Sequence, residues 1–495
     1  MSDMNERFDE LDETDEIENT EENEDIDDGD EKESAEIIER LDEKLITSEE
    51  LIELLEGKKY YELKSALAEI PAPDIAELFY DIDEAQHSII FRLLSKELAA
   101  ETFVEMDSDH QEGLIQRLSD RELSEMLDEL YIDDTVDIIE EMPANVVKRI
   151  LKNSDKENRE IINKILKYPK DSAGTVMTTE YVRFTGDMTV ADALLHIRRV
   201  AIDKETIYTC YVTGRDKRLQ GIVTAKDLLI SDPETELSEI MDENVIAVHT
   251  HDDKEEVAMK LDKYGFLAIP VVDSESRLVG IITVDDALEV IIEESEEDFA
   301  KMAAIMPTET PYLKTNVFSL WKSRIPWLLI LMLSSTISSA ILTGFEAALP
   351  AVLVLFIPMI MGTGGNSGGQ SSVTVTRSIS LSEIEFSDLF RVFFKELRVG
   401  AMCAITLGAA TFLKVWLIDG MLLNNADVTL LVALTVALSL SLTIILAKII
   451  GAVLPILAKR IGLDPAVMAS PLITTLVDAI SLIVYLFVAR NFLTI

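Results

Sequence analysis

Two kinds of pattern divide the chain. From residue 317 onward, long stretches carry no charged side chain: 325–342, 347–376, 399–413 and 428–447, with 465–489 holding only Asp478. A spanning helix needs ~20 mostly apolar residues, so this half is expected to be a five-helix α transmembrane domain over 317–495. Upstream, residues 36–170 show short helical periods. Ala76-Glu77-Leu78, Ala100-Glu101-Thr102 and Ser124-Glu125-Met126 recur every 24 residues, with Ile89-Ile90, Leu114-Ile115 and Ile138-Ile139 between them. Helices of about twelve residues stacked as pairs predict an all-α superhelical N-domain. Residues 171–284 hold a second duplication, in which helix and strand alternate. Residues 285–304 read as one amphipathic helix, within a connecting segment 285–316.

Charge sharpens this division. The chain has 91 Asp+Glu against 44 Lys+Arg, a formal charge of −47. Residues 1–316 carry −49 and residues 317–495 carry +2. So acidic a body excludes a nucleic-acid binder, which needs basic surface. Residues 1–35 read as a disordered acidic tail; the first 34 hold 18 acids and 2 bases, the wrong charge for a cleavable leader. Cys210 and Cys403 are the two cysteines, too few and too distant for a disulfide framework or a Cys-rich metal site.

Orientation follows from basic residues in short loops. Arg377, Arg391, Lys395 and Arg398 lie between spans two and three, and Lys459 and Arg460 between four and five. The loops around Gly344 and over 419–427 have none. A multi-pass protein of the plasma membrane with a cytoplasmic N-terminus is expected.

Three intramembrane features carry candidate chemistry. Asp478 sits inside span five, where a carboxylate is costly unless it faces water or a partner; the alternative is an acid that bonds a neighbouring helix. The run from Met361 to Ser372 puts five glycines in eight positions, which weakens a continuous helix and would free carbonyls to line a cavity. Close small-residue packing is the alternative there. Asp464-Pro465 opens span five and reads equally well as a helix cap. Carboxylate, amide, hydroxyl and carbonyl oxygens without soft ligands suit a hard cation, and Mg2+ is met by one or two carboxylates plus water. One Asp per chain is thin for that, so a homodimer around a shared axis is expected.

In the duplicated region, Val176-Met177 recurs as Ile240-Met241, and the run from Leu219 to Asp227 (Leu-Gln-Gly-Ile-Val-Thr-Ala-Lys-Asp) recurs from Leu278 to Asp286 (Leu-Val-Gly-Ile-Ile-Thr-Val-Asp-Asp). These residues resemble the tandem CBS domain, an α/β pair. The resemblance implies an adenine nucleotide such as ATP, with Asp227 near its ribose; CBS pairs without ligand are the alternative. Asp286, Glu289, Glu293, Glu294, Glu296, Glu297 and Asp298 then crowd the connecting helix. Their mutual repulsion disfavours close packing until cations neutralise it, whereas a solvated acidic helix is the plainer reading.

The order of these parts, with Arg324-Ile-Pro-Trp327, Gly364-Gly-Asn-Ser-Gly-Gly-Gln370, Asp464-Pro-Ala466 and Thr474-Thr-Leu-Val-Asp478, resembles the MgtE magnesium channel/transporter family over residues 36–495. The resemblance implies no enzyme but a homodimer with one pore, closed by the connecting ("plug") helix when cytosolic Mg2+ binds. By position it implies Asp478 as the pore ligand, with the Thr474 carbonyl and Gly365–Asn366 nearby and Asp464 at the gate. Asp253 and Glu255, with Asp286, Glu289, Glu294, Glu297 and Asp298 on the plug, would be sensor acids. Gly265 stands where the family has an acid, and Glu289 where it has a shorter one. Rival classes are a membrane aspartyl protease, which wants two intramembrane acids in one chain, and a nucleotide-sensing scaffold, which needs no polar pore. Co2+ or Ni2+ as substrate, or coupled exchange, stays open.

Overall fold

The computed structural model of the chain describes residues 48–307, 312–313, 315–345, 350–468 and 470–493. The acidic tail expected over 1–35 lies outside them. The chain forms two compact units, one of residues up to 106 with 113–118, the other of 119–495 with 107–112.

Short helices fill the region of 24-residue recurrence: α1 (Ser48–Glu56), α2 (Tyr60–Leu67), α3 (Ala72–Phe79), α4 (Glu84–Phe91), α5 (Lys96–Val104), α6 (Ser108–Arg117), α7 (Asp120–Leu127), α8 (Ile132–Glu141), α9 (Ala144–Asn153) and α10 (Lys156–Ile165). Each is 8 to 10 residues long, so a helix plus its turn makes the half-period. The recurring positions are core positions: Ile90, Ile115 and Ile139 are buried. Local caps set the boundaries. Ser119 and Glu122 form a capping box at α7, each satisfying an amide the helix cannot.

The duplicated region builds two three-stranded sheets with one topology. β1 (Tyr181–Phe184) runs parallel to β2 (Thr206–Thr213), which pairs antiparallel with β3 (Leu219–Thr224). β4 (Val248–His249), β5 (Ala268–Val272) and β6 (Leu278–Thr283) repeat the arrangement. Helix α11 (Val190–Val200) follows β1, α12 (Ala225–Ile230) follows β3, α13 (Leu237–Ile240) precedes β4 and α14 (Lys254–Tyr264) follows it. The copies exchange their opening segments. Met177 of the first covers Gly280 of the second, and Met241 of the second covers Gly221 of the first. A Cβ at either glycine would fall 2.7–2.8 Å from the methionine sulfur, which is why Gly and Met both recur.

The connecting helix is α15 (Val284–Met302). The membrane half contains α16 (Val317–Phe345), α17 (Ala351–Val354), α18 (Ile357–Ser380), α19 (Leu389–Leu413), a π-helical continuation Lys414–Leu422, α20 (Leu430–Arg460) and α21 (Ser470–Phe492). Among the described residues, five helical segments are long and apolar enough to cross a membrane. α18, α19, α20 and α21 pack together, while α16 touches α21 and keeps its apolar surface outward.

The glycine run does not break its helix, contrary to the expectation of freed carbonyls. α18 is continuous from Ile357 to Ser380, because the missing side chains are used for contact. A Cβ at Gly364 would meet Thr443 and Ser481 at 2.7–2.8 Å, one at Gly365 would meet Thr474 at 2.8 Å, and one at Gly368 would meet Ile473 at 3.0 Å. Backbones that approach this closely gain dispersion contacts lipid cannot match. Gly451 of α20 lies directly on the Gly368 backbone. Gly451→Ala should therefore destabilise the membrane domain by about 2 kcal/mol or more, lowering the melting temperature of the detergent-solubilised protein. Gly362→Ala, where a Cβ has open space, should leave it unchanged.

Candidate functional site

The first candidate site follows from the glycine contacts. Thr474 and Asp478 are four apart and share one face of α21, and Thr474 lies against Gly365. The buried face of α18 carries Gly364, Gly365, Gly368 and Gly369, and its open face shows Asn366, Gln370 and Thr374 at four-residue spacing. A polar stripe of α18 thus runs beside the α18–α21 contact, and Asp478 stands one turn along α21 from Thr474. The Asp478 carboxylate is half-buried and makes no hydrogen bond or ion pair with any described residue. A carboxylate placed in a membrane-spanning helix needs water, a partner or a cation.

The second set lies where α15 reaches the membrane half. Lys301 donates to Glu297 on its own helix and to Asp464, each at 2.7 Å. The other Asp464 oxygen accepts from the Ala466 amide at 2.8 Å, so the cap reading of this residue holds as well. Burial works against the Lys301 charge, but Asp464 and Glu297 hold its pKa above the usual lysine value. Asp298 accepts from Ser380 of α18 at 2.6 Å. Lys254 reaches Glu293 at 3.3 Å and Glu294 at 3.8 Å. Asp253 caps α14 by accepting from the Glu255 and Glu256 amides. Burial, then Glu294 and Asp298, push Glu255 up to about 7. Gly265 ends α14 in the left-handed conformation, with φ +65, and offers no ligand. Part of this acid set is thus already neutralised from within, by lysines the sequence reading did not use.

The third set gathers acids from three parts of the chain. Asp133, Asp134 and Asp137 of α8 face Asp286 and Glu289 of α15, with Glu180 before β1 and Glu205 before β2. Burial first, then Asp286, raise Asp134 to about 7 and Glu205 to about 8. Burial and Asp286 drive Asp133 well above the ordinary range, and burial and Glu289 do so for Asp137. The strongest charges acting on them are all negative. Asp133 Oδ1 and Glu205 Oε2 are buried without a hydrogen-bond partner. Such orphaned hard oxygens fit a divalent cation. Among the described residues no three acids already converge at ligating distance, so the set would have to close around an ion.

Asp227 and Asp286 have a local role that explains their recurrence. Each ends a Thr-x-x-Asp box that starts a helix: Asp227 Oδ2 accepts from the Thr224 amide at 3.0 Å, and Asp286 Oδ2 accepts from the Thr283 hydroxyl. Asp227 keeps Oδ1 without a partner among the described residues. The sequence reading missed Glu180, Glu205, Lys254 and Lys301 as members of these sites. Their spacing carries no signal, since each meets its neighbours only through the fold.

A pH test follows from the third set. These acids bind protons more tightly when packed than when exposed. Packing of α8 on α15 is therefore fully favoured below pH ~4, the ordinary carboxyl value, and weakens as pH rises through about 7 to 8. Without divalent ions, amides of α8 should exchange hydrogen about ten-fold faster at pH 8.5 than at pH 6 after correction for intrinsic rates. Millimolar Mg2+ should remove the difference; equal protection at both pH values without Mg2+ would contradict it.

Known proteins fit this geometry part by part. A family described as divalent cation transporter matches residues 357–488, the MgtE intracellular N domain matches 70–171, and CBS domains match 173–233 and 237–293. The magnesium transporter MgtE of Thermus thermophilus is 37% identical over 458 residues, covering 91% of this chain and 99% of that one. The one of Bacillus subtilis is 32% identical over 453 residues, covering 90% and 96%. A crystal structure of the cytosolic domain of the Mg2+ channel MgtE in complex with ATP is 36% identical, with a TM-score of 0.48, and covers 49% of this chain and 100% of its own. Cytosolic and membrane parts are matched together, along nearly the whole length of relatives that move an ion rather than transform a substrate, and the chain belongs to the MgtE family of magnesium transporters.

Proposed function

We propose that the protein is a Mg2+-selective channel for magnesium uptake, a homodimer in the plasma membrane with its N-terminus in the cytoplasm. Its pore lies at the α18–α21 stripe. The observation that carries this reading is the half-buried Asp478 carboxylate, unpartnered beside Thr474 and the Gly365–Asn366 region. Two such carboxylates across a dimer axis attract a divalent ion that keeps its water, and the Thr474 carbonyl, with one lone pair committed inside α21, would accept from that shell with the other. Mg2+ releases water reluctantly, which suits this kind of contact. The membrane potential contributes ~4.6 kcal/mol per 100 mV to inward movement of two charges.

The cytosolic acids act as the gate. At low cytosolic Mg2+ the repulsion among Asp133, Asp134, Asp137, Glu180, Glu205, Asp286 and Glu289 disfavours the packed state. Mg2+ would be held by these carboxylates, and at the membrane end by Asp253, Glu255, Glu294, Glu297, Asp298 and Asp464, and would supply positive charge that stabilises packing. The plug helix α15 then stays docked and the pore closed. ATP would be held at the CBS pair as a regulator, a ribose hydroxyl donating to the free Asp227 oxygen. The unused Oδ1 supports that placement.

Asp478→Ala should lower Mg2+ flux into proteoliposomes by at least about ten-fold with an unchanged gel-filtration profile; intact Mg2+-selective flux would overturn the pore assignment. Asp134→Asn, Asp137→Asn and Glu289→Gln together should make flux the same with and without Mg2+ on the cytosolic face. Wild-type inhibition in that variant would contradict the gating scheme.

A further inference from the structure

One buried charge in the membrane half has no part in the sites above. Lys448 of α20 is 5% exposed. Its Nζ donates to the Ser371 hydroxyl of α18 at 3.3 Å, and that hydroxyl donates to Glu396 Oε2 of α19 at 2.7 Å. A hydroxyl has one proton and free lone pairs, so it accepts from the ammonium and passes its own proton toward the carboxylate. The three residues form one directed chain from cation to anion across three helices.

The surroundings make this chain a polar layer in an apolar stack. One turn toward the cytoplasmic side, Val375 of α18, Val392 of α19 and Ala452 of α20 share a buried cluster. One turn the other way, Ile444 of α20 belongs to the main apolar core. Gly400 of α19 lets that helix approach: a Cβ there would stand 3.7 Å from the Lys448 Cβ and 3.3 Å from the Ile445 Cα. Three residues beyond Lys448, Gly451 rests on Gly368 of α18, and Gly368 in turn rests on Ile473 of α21. Apolar faces in a membrane slide past one another at little cost, whereas a single polar layer is satisfied in one register only.

We infer that Lys448 is a positioning residue for Mg2+ transport. The Lys448–Ser371–Glu396 chain is a charge-balanced latch that fixes the register of α18 between α19 and α20. That register sets how the glycine face of α18 meets Thr474 and Asp478 on α21. The latch rests on the reading of the α18–α21 stripe as the ion path.

The test measures Mg2+ flux into proteoliposomes against Mg2+ concentration for Lys448→Met, Glu396→Gln and the double variant. A defect in folding alone lowers maximal flux and leaves the half-saturating concentration unchanged. Lys448→Met and Glu396→Gln each leave one uncompensated charge, and each should raise the half-saturating concentration about ten-fold. The double variant removes both charges and should return to within about three-fold of wild type. Should Lys448→Met fail to give folded protein, a folded and active double variant supports the charge balance by itself. Wild-type half-saturation in Lys448→Met, or a double variant as impaired as the singles, overturns the latch. Asp478→Ala, run alongside, separates the two readings. If it keeps wild-type flux and half-saturation while Lys448→Met does not, the stripe is not the path, and what stands is the charge-balanced register of α18 without its link to Asp478.

Discussion

Buried carboxylates that face one another are the constraint on which the cytosolic part depends. Native interiors leave few buried polar atoms unpaired, and buried charges are stabilised by partners or lose their charge. Asp133 Oδ1 and Glu205 Oε2 break the first rule, and the raised proton affinities of Asp134 and Glu205 express the second. Three separate pieces of chain supply these groups: α8, the strand-flanking segments of the CBS pair, and α15. Their meeting is more favourable when the carboxylates carry protons, and a metal ion would act in the same direction. The packing of an otherwise ordinary helical domain is thereby made conditional on the composition of the solution.

The two ends of α15 differ in this respect. Near the membrane, Lys254 and Lys301 sit among Glu293, Glu294, Glu297 and Asp464. These ammonium groups hold the helix to α14 and to the start of α21 without any ion from solution. They also mean that a cation arriving there competes with a tethered charge. At the other end, Asp134 and Asp137 of α8 have Asp286 and Glu289 of α15 as their strongest charged neighbours. In the proposed gating scheme, sensitivity to free cations would be concentrated at the end farther from the bilayer, with the helix between leading toward the Asp298–Ser380 hydrogen bond.

Much of this architecture was legible in the sequence, because the relevant signals are periodic or local. The five spans follow from runs without charge, the superhelix from buried Ile90, Ile115 and Ile139, and the paired sheets from the repeated Gly and Met positions. The glycine run was legible as a contact but not as a helix: low helical propensity is a weak prior, and close packing on α20 and α21 overrides it. What escaped depends on partners distant in sequence. Nothing near Glu205 announces that it faces Asp286, and Lys448 follows an uncharged stretch with no sign of Ser371 or Glu396. The Thr-x-x-Asp boxes show the opposite limit. Their recurrence was visible, but their first physical duty is to start α12 and α15.

The continuity of α18 bears on what kind of ion the stripe can handle. An unbroken helix commits its carbonyls to its own hydrogen bonds, so α18 offers an ion no ring of freed backbone oxygens. What it offers is side chains: Asn366, Gln370 and Thr374 along the open face, with Asp478 across the contact. A dehydrated ion would need six or more direct oxygens, which one carboxylate and a few amides and hydroxyls cannot supply even when doubled by symmetry. A hydrated ion needs only hydrogen-bond partners for its shell and negative charge nearby, and both are present. Among hard divalent cations the one that holds its water most tightly is the natural occupant, since it never has to exchange that shell for ligands the helix does not have. In the proposed pore, the glycines that seal α18 against its neighbours would thus also leave the ion to be met through water.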